Sequence, residues 1–189
     1  MASPTFPAIT SNDDSMLNRM RVCRFFLLVF FAAFAVAAQA DNAQQLEPGL
    51  LKAMHLKKGT SERSGGAGKA IRAYKRLGYV NQKPNQRADY VDYYLMKKPA
   101  SFMGHELVVI EEEYMSNWVG CCVSPGVGVS VKVTGSTVKL EEFALANKCG
   151  LTDQVALDRE LRSVGVKVTL PKARYASLSC RERDATRDL

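Results

Sequence analysis

"GVGVSVKVTG", Gly126–Gly135, alternates strictly: Val127, Val129, Val131 and Val133 share one side of an extended chain, with Gly128, Ser130 and Lys132 on the other. Successive side chains of a strand point to opposite faces, so the stretch predicts a half-buried β-strand with one apolar face. Ser124-Pro125-Gly126 immediately before it reads as a tight turn. Alternation of this kind belongs to a sheet that packs one face on a core, most often an antiparallel one.

Outward from this strand the pattern changes period. "HELVVIEEEY" (His105–Tyr114) reads as a second strand, with Leu107 and Val109 on one face, Val108 and Ile110 on the other, and Glu111 and Glu113 together in its acidic half. "DYVDYYLMKK" (Asp89–Lys98) is aromatic and β-branched enough for a third. Farther upstream, Ala67, Ala70, Ile71, Tyr74 and Leu77 recur at helical spacing, Lys69, Arg72 and Arg76 line the opposite side, and Gly78 is placed to end the helix. "LLKAMHL" (Leu50–Leu56) predicts a short helix before it.

Downstream, Ser136 or Thr137 caps a helix through "VKLEEFALANKC", with Leu140, Phe143 and Ala144 inward. Thr152 is expected to cap another, with Leu157, Leu161 and Val164 inward and Gly165 as its stop. "VKVTL" and "ARYASLSC" read as two closing strands, and residues 181–189 as a disordered tail. The order lacks the regular alternation of a doubly wound sheet. It predicts an α+β fold: a mostly antiparallel sheet of about five strands with two or three helices packed on one side.

The N-terminus bears on the cysteines. Arg19, Arg21 and Arg24 precede an apolar run, Phe25 to Ala37, and Ala38-Gln39-Ala40 is a small-x-small cleavage site, so residues 1–40 read as a signal peptide, with Met16 and Met20 as alternative starts. The run is shorter than the ~20 residues that span a bilayer. The expected product, residues 41–180 with the tail, is a single exported domain, periplasmic or secreted, with no membrane anchor after cleavage. Four cysteines remain in it, Cys121, Cys122, Cys149 and Cys180, which in an oxidising compartment predict two disulfides. Adjacent strand residues face apart, so Cys121 and Cys122 are expected to bond separately to Cys149 and Cys180. Their spacing lacks a zinc knuckle, and His55 and His105 are isolated, so no metal and no other cofactor is expected.

Charge is segregated along the chain. Residues 52–98 hold twelve Lys/Arg against Glu62, Asp89 and Asp92, whereas residues 104–160 hold nine acidic and four basic residues. Either the molecule is electrically polar and steers a charged partner, or the two segments pack together and neutralise each other. Export and the lack of any RNP-type or zinc-finger pattern argue against nucleic acid.

Three motifs resemble chemistry without completing it. "SGGAGKA" (Ser64–Ala70) has Arg63 where a phosphate loop needs its first glycine and Ala70 where it needs a hydroxyl. Ser136-Thr137-Val138-Lys139 matches S-x-x-K but lacks the companion motifs of β-lactamases. Cys121 or Cys122 with His105 would make a thiol site only if the disulfides left a thiol free. What remains is the loop around Trp118, the only tryptophan, with Tyr114 and Pro125 close by in sequence. Aromatic residues on a rigid loop suit a protein-binding hot spot, so Tyr114, Trp118 and Pro125, joined by Arg72 and Arg76 of the basic helix, are the expected partner-binding residues. The functional expectation is an exported protein-binding domain, an inhibitor or immunity protein that occludes an envelope-active toxin or hydrolase. The alternatives are a small envelope enzyme or thiol-redox protein using Cys121/Cys122, and a structural accessory of the cell envelope.

Overall fold

The computed structural model describes residues 45–114 and 123–186, all within one compact unit, Asp41–Leu189. The expected signal peptide, Trp118, Cys121, Cys122 and residues 187–189 lie outside the described residues. The elements run α1 (Glu47–Met54), α2 (Ala67–Arg76), β1 (Gln86–Ala88), β2 (Val91–Leu95), β3 (Ser101–Phe102), β4 (His105–Glu113), β5 (Gly126–Lys132), α3 (Val138–Ala146), β6 (Gly150–Asp153), α4 (Leu157–Ser163), β7 (Tyr175–Arg181) and α5 (Glu182–Thr186). The strands form one seven-stranded sheet in the order β1-β2-β4-β5-β7-β6, with β3 paired to β4 off this path, and every pairing in it is antiparallel. The α+β class is as expected; the sheet has seven strands rather than about five, and there are five helices among the described residues.

Within this sheet β5 is buried on both faces, Gly126, Gly128 and Ser130 as well as Val127, Val129 and Val131. The expectation of a half-buried strand, and of helices on one side only, is corrected by what covers the second face. Against the valine face, Leu50, Met54, Ile71, Tyr74 and Leu140 of α1, α2 and α3 pack with Ile110, Val129 and Leu178. Against the opposite face, Leu157 and Leu161 of α4 pack with Val109, Val166 and Tyr175. Each such side chain contributes ~1.5–3 kcal/mol by leaving water. On the second face of β5 the Glu111 side chain lies 3.0 Å from where a methyl group on Gly128 would be, so the glycine there reflects a close cover, not solvent.

A bulge divides β4 between these two cores. The register with β5 shifts between Leu107 and Val109, and an extra residue flips the facing of everything beyond it. Leu107 and Ile110 thus enter the first core while Val108 and Val109 join the second, instead of the simple alternation expected. The same flip keeps Glu111 and Glu113 together and sends Glu112 to the α2 face.

Two helices end as their glycines predict. Gly78 and Gly165 take left-handed φ values of 69° and 87°, and the Tyr79 and Val166 amides donate back to the Tyr74 and Leu161 carbonyls, the Schellman pattern. The region after α3 departs from expectation. Thr152 caps no helix but lies in β6, whose pairing with β7 satisfies its backbone, and α4 begins only at Leu157. "VKVTL" forms no strand; Val168 and Leu170 pack against the second core from irregular chain.

Cys149 leads into β6 and Cys180 lies one residue before the end of the neighbouring strand, so antiparallel pairing brings their Cα atoms to 4.5 Å and they form a disulfide. This corrects the expected connectivity. Neither Cys149 nor Cys180 is available to Cys121 or Cys122, and one disulfide rather than two is present among the described residues. The chain past Cys180 is also built in over residues 181–186, where a disordered tail was expected. Arg181 closes β7, and α5 buries Asp184 and Ala185. The Arg181 amide donates to Asp184 Oδ2 at 2.8 Å, half of a capping box at the start of α5.

Candidate functional site: two depressions sharing a glycine segment

Ser64–Gly68 crosses from the end of α1 to the start of α2 because it has almost no side chains to hinder it. A methyl group at Gly65 would lie 2.8 Å from the Lys52 carbonyl, so only glycine lets the segment lie against the last turn of α1. Arg63 anchors the segment from below. Its guanidinium is buried and donates to the carbonyls of Met54, Asn147, Lys148 and Arg181 at 2.6–3.2 Å, joining α1, the end of α3 and β7. Burial holds its pKa below the ordinary value, with Asp184 and Glu182 pulling the other way. In the sequence Arg63 is visible only as the residue that spoils a phosphate loop; nothing local foretells its partners beyond Met54, which lie 84–118 residues away.

On one side of the segment a groove of about 440 Å³ runs between α1 and α2. Lys52 comes from α1, and Lys69, Arg72 and Arg76 from α2, with no carboxylate among the lining residues. The stripe of Ala70, Ile71 and Tyr74 buries one face of α2, which turns the basic face outward into this groove. Among the described residues, none of these four cations has a hydrogen bond or ion pair from its side chain.

On the other side lies a cavity of about 280 Å³ lined by Glu112, Glu113, Tyr114 and Pro125, with Glu62 and Glu182 at its rim and Arg63 in its wall. Glu113 is 2% exposed and lies among arginines. Its Oε1 accepts from the Ser124 amide at 2.9 Å and from Arg183 at 2.7 Å. Its Oε2 lies 2.8 Å from Arg181 Nε, close enough for strong attraction though off the line of a hydrogen bond. Arg181 also donates to Glu111, which passes over Gly128, and to Ser179. Both arginines come from the end of the chain that was expected to be a tail.

Glu112 stands opposite Asp92 on the α2 side of the sheet, and the two carboxylates differ. Burial pushes the Asp92 carboxyl up, but bidentate bonds from Arg87 at 2.6 and 2.8 Å, with the Tyr114 and Tyr94 hydroxyls at 3.2 Å, hold it below the ordinary range. Tyr94 in turn accepts from Lys75 at 3.0 Å. Glu112 is 9% exposed and has no hydrogen-bond donor among the described residues. Burial raises its pKa despite the fields of Lys75, Arg72 and Arg87.

Of the expected partner-binding residues, Arg72 and Arg76 line the groove and Tyr114 and Pro125 line the cavity, and the two depressions share Gly65 and Gly66. Trp118 lies outside the described residues. His105 is buried at the far end of β4 from Glu113, where its Nδ1 accepts from the Thr134 amide at 3.3 Å. The functional residues that sequence reasoning missed are Glu112, Arg63 and the Arg181–Arg183 pair. No group of three or more potential metal ligands exists among the described residues. Neither a protein-family model, nor a curated protein, nor a solved structure matches the chain.

Proposed function

We propose that the chain is an exported protein-binding domain, an inhibitor or immunity protein that occludes an envelope-active toxin or hydrolase by docking the Ser64–Gly68 face onto it. The observation that supports this reading is the groove: four cations, one from α1 and three from α2, line it without ion pairs among the described residues. Cations held on a rigid element and left unneutralised cost repulsion in the free protein, a cost that an acidic partner surface removes. The test is capture of a stoichiometric protein partner from the envelope fraction of the native host, followed by affinity measurement with Lys52→Glu/Arg76→Glu. Arg72 is left intact because it also acts on Glu112. A tenfold or greater loss of affinity is expected; unchanged affinity sinks the reading.

One observation favours the thiol alternative. The Cys149–Cys180 bridge leaves Cys121 and Cys122 without the partners expected for them. A thiol count on the purified protein separates the two: a free, low-pKa thiol at Cys121 or Cys122 supports redox or nucleophilic chemistry, and its absence leaves the binding reading in place.

A further inference from the structure

We infer that the acidic cavity beside the basic groove receives one basic side chain of the docked partner, a lysine or an arginine, with Glu112 as its counter-charge. The inference rests on the docking reading above and adds to it the chemistry of the partner's central contact.

Glu112 carries the argument. A carboxylate has about four lone-pair sites, and buried carboxylates ordinarily fill them. Glu112 is nine-tenths buried, and its Oε1 stands 3.1 Å from where a methyl group on Gly68 would be, inside the cavity wall. Even so, no donor among the described residues reaches it. Arg72 and Lys75 act on it from a distance, yet neither forms an ion pair with it; Lys75 is spent on the hydroxyl and ring of Tyr94. Its neighbour Glu113 accepts hydrogen bonds at Oε1 from Ser124 and Arg183 and is ion-paired at Oε2 with Arg181. The pair therefore differs: Glu113 is held by the charges of Arg181 and Arg183, whereas no hydrogen bond or ion pair from the described residues reaches Glu112.

The cavity also has the shape that a long cationic side chain needs. Ala67, Gly65, Gly68 and Pro125 give it small apolar walls, against which a methylene stem packs while its charged head reaches the carboxylate. Glu182 in the lining adds the same sign of field, the Glu62 charge is paired with Lys57 at 2.6 Å, and the Arg63 charge in the wall is committed to backbone carbonyls. A metal ion fits less well, because the described residues supply no three-ligand cluster. A buried, hydrogen-bonded ion pair at the centre of an interface is the kind of contact that dominates binding energy, since truncating it leaves the other charge unpaired.

The experiment titrates the full-length protein with Nα-acetyl-L-arginine amide, Nα-acetyl-L-lysine amide and the neutral isostere Nα-acetyl-L-citrulline amide, following backbone amide resonances by NMR. The Gly66, Gly68 and Tyr114 amides are expected to shift with the arginine or lysine probe and not with citrulline. Glu112→Gln, which keeps the side-chain volume, should weaken the probe at least tenfold. Equal shifts with citrulline, no shift with any probe, or unchanged affinity in Glu112→Gln would each overturn the inference. Lys52→Glu/Arg76→Glu keeps the two ideas apart. If it loses the acidic partner but still binds the cationic probe, both stand. If partner docking persists in the native protein while no probe binds, the cavity inference falls alone. If probes bind but no protein partner is captured, the cavity is a basic-group site and the docking reading falls.

Discussion

The Tyr74 hydroxyl is fully buried under α2 with no hydrogen-bond partner among the described residues, and burial raises its pKa well above the usual phenol value. Its ring packs edge-on to Tyr79 at 6.1 Å, so the ring is useful and the oxygen is not. An unsatisfied buried hydroxyl costs ~1–3 kcal/mol of desolvation; Tyr74→Phe should therefore raise stability by about 1 kcal/mol, read as a higher urea midpoint at unchanged slope. A lower midpoint would show that the hydroxyl has a partner after all. Glu112 poses the same question with a charge. Its folded pKa lies above its unfolded one because burial resists ionisation. Below the unfolded value both states hold the proton and the residue contributes nothing to the pH dependence. As pH rises from there through the raised folded value, the unfolded state ionises freely while the native state does not, so stability falls. Glu112→Gln lacks that loss. Its stability relative to the parent should climb as pH rises from the ordinary glutamate range through the raised folded value and then level off, and a flat difference throughout would mean that Glu112 ionises as easily in the fold as in water.

Elements in this protein are defined by what they pair with more than by their own pattern. The helix over Ala67–Arg76 was legible because its stripe, its basic face and its Gly78 stop all agree locally. So were β4 and β5, whose valines and isoleucine allow little else. The bulge at Leu107–Val109 was not legible, since an extra residue changes no composition, only the register with β5. Nor was β6: "GLTD" is short and polar at its end, and it is a strand because β7 offers it an edge. The candidate site follows the same division. Arg72 and Arg76 show on the helix wheel, whereas Glu112, Arg63 and Arg183 acquire meaning only from contacts distant in sequence. The disulfide tests how far β6 depends on its neighbour. Closing 31 residues contributes about 3–4 kcal/mol in the chain-entropy model. Cys149→Ser/Cys180→Ser should lose that much in urea unfolding, with the earliest loss of amide protection in β6 and in the turn after α3, where Arg63 also donates to the Asn147 and Lys148 carbonyls. Uniform loss across the sheet would mean that the bridge staples the whole fold rather than its edge.

For the molecule as a whole, the question raised by the sequence was whether its basic and acidic segments neutralise each other. Among the described residues no ion pair joins residues 52–98 to residues 104–160. Glu111 and Glu113 are taken by Arg181 and Arg183, Asp153 by Arg174, and Glu106 and Asp158 by bases near them, while Arg87 is spent on Asp92 within its own segment. The C-terminal arginines thus pair with Glu111, Glu113 and Asp153, and the groove cations of α1 and α2 are left without ion pairs among the described residues. That division has a kinetic consequence if the groove meets an acidic partner. Exposed charges act through solvent over a Debye length of ~10 Å at 0.1 M salt and ~3 Å at 1 M, so the groove should speed encounter at low salt and lose that advantage as salt rises. Contacts buried at the cavity are screened far less and act on dissociation. In surface-plasmon measurements against the captured partner, the association rate should fall at least tenfold between about 0.05 and 0.5 M salt while the dissociation rate changes little. Lys52→Glu/Arg76→Glu should flatten the first dependence, and Glu112→Gln should raise the second rate without touching the first. An association rate indifferent to salt would mean that the basic groove faces solvent in the complex, and that charge segregation in this chain serves something other than recognition.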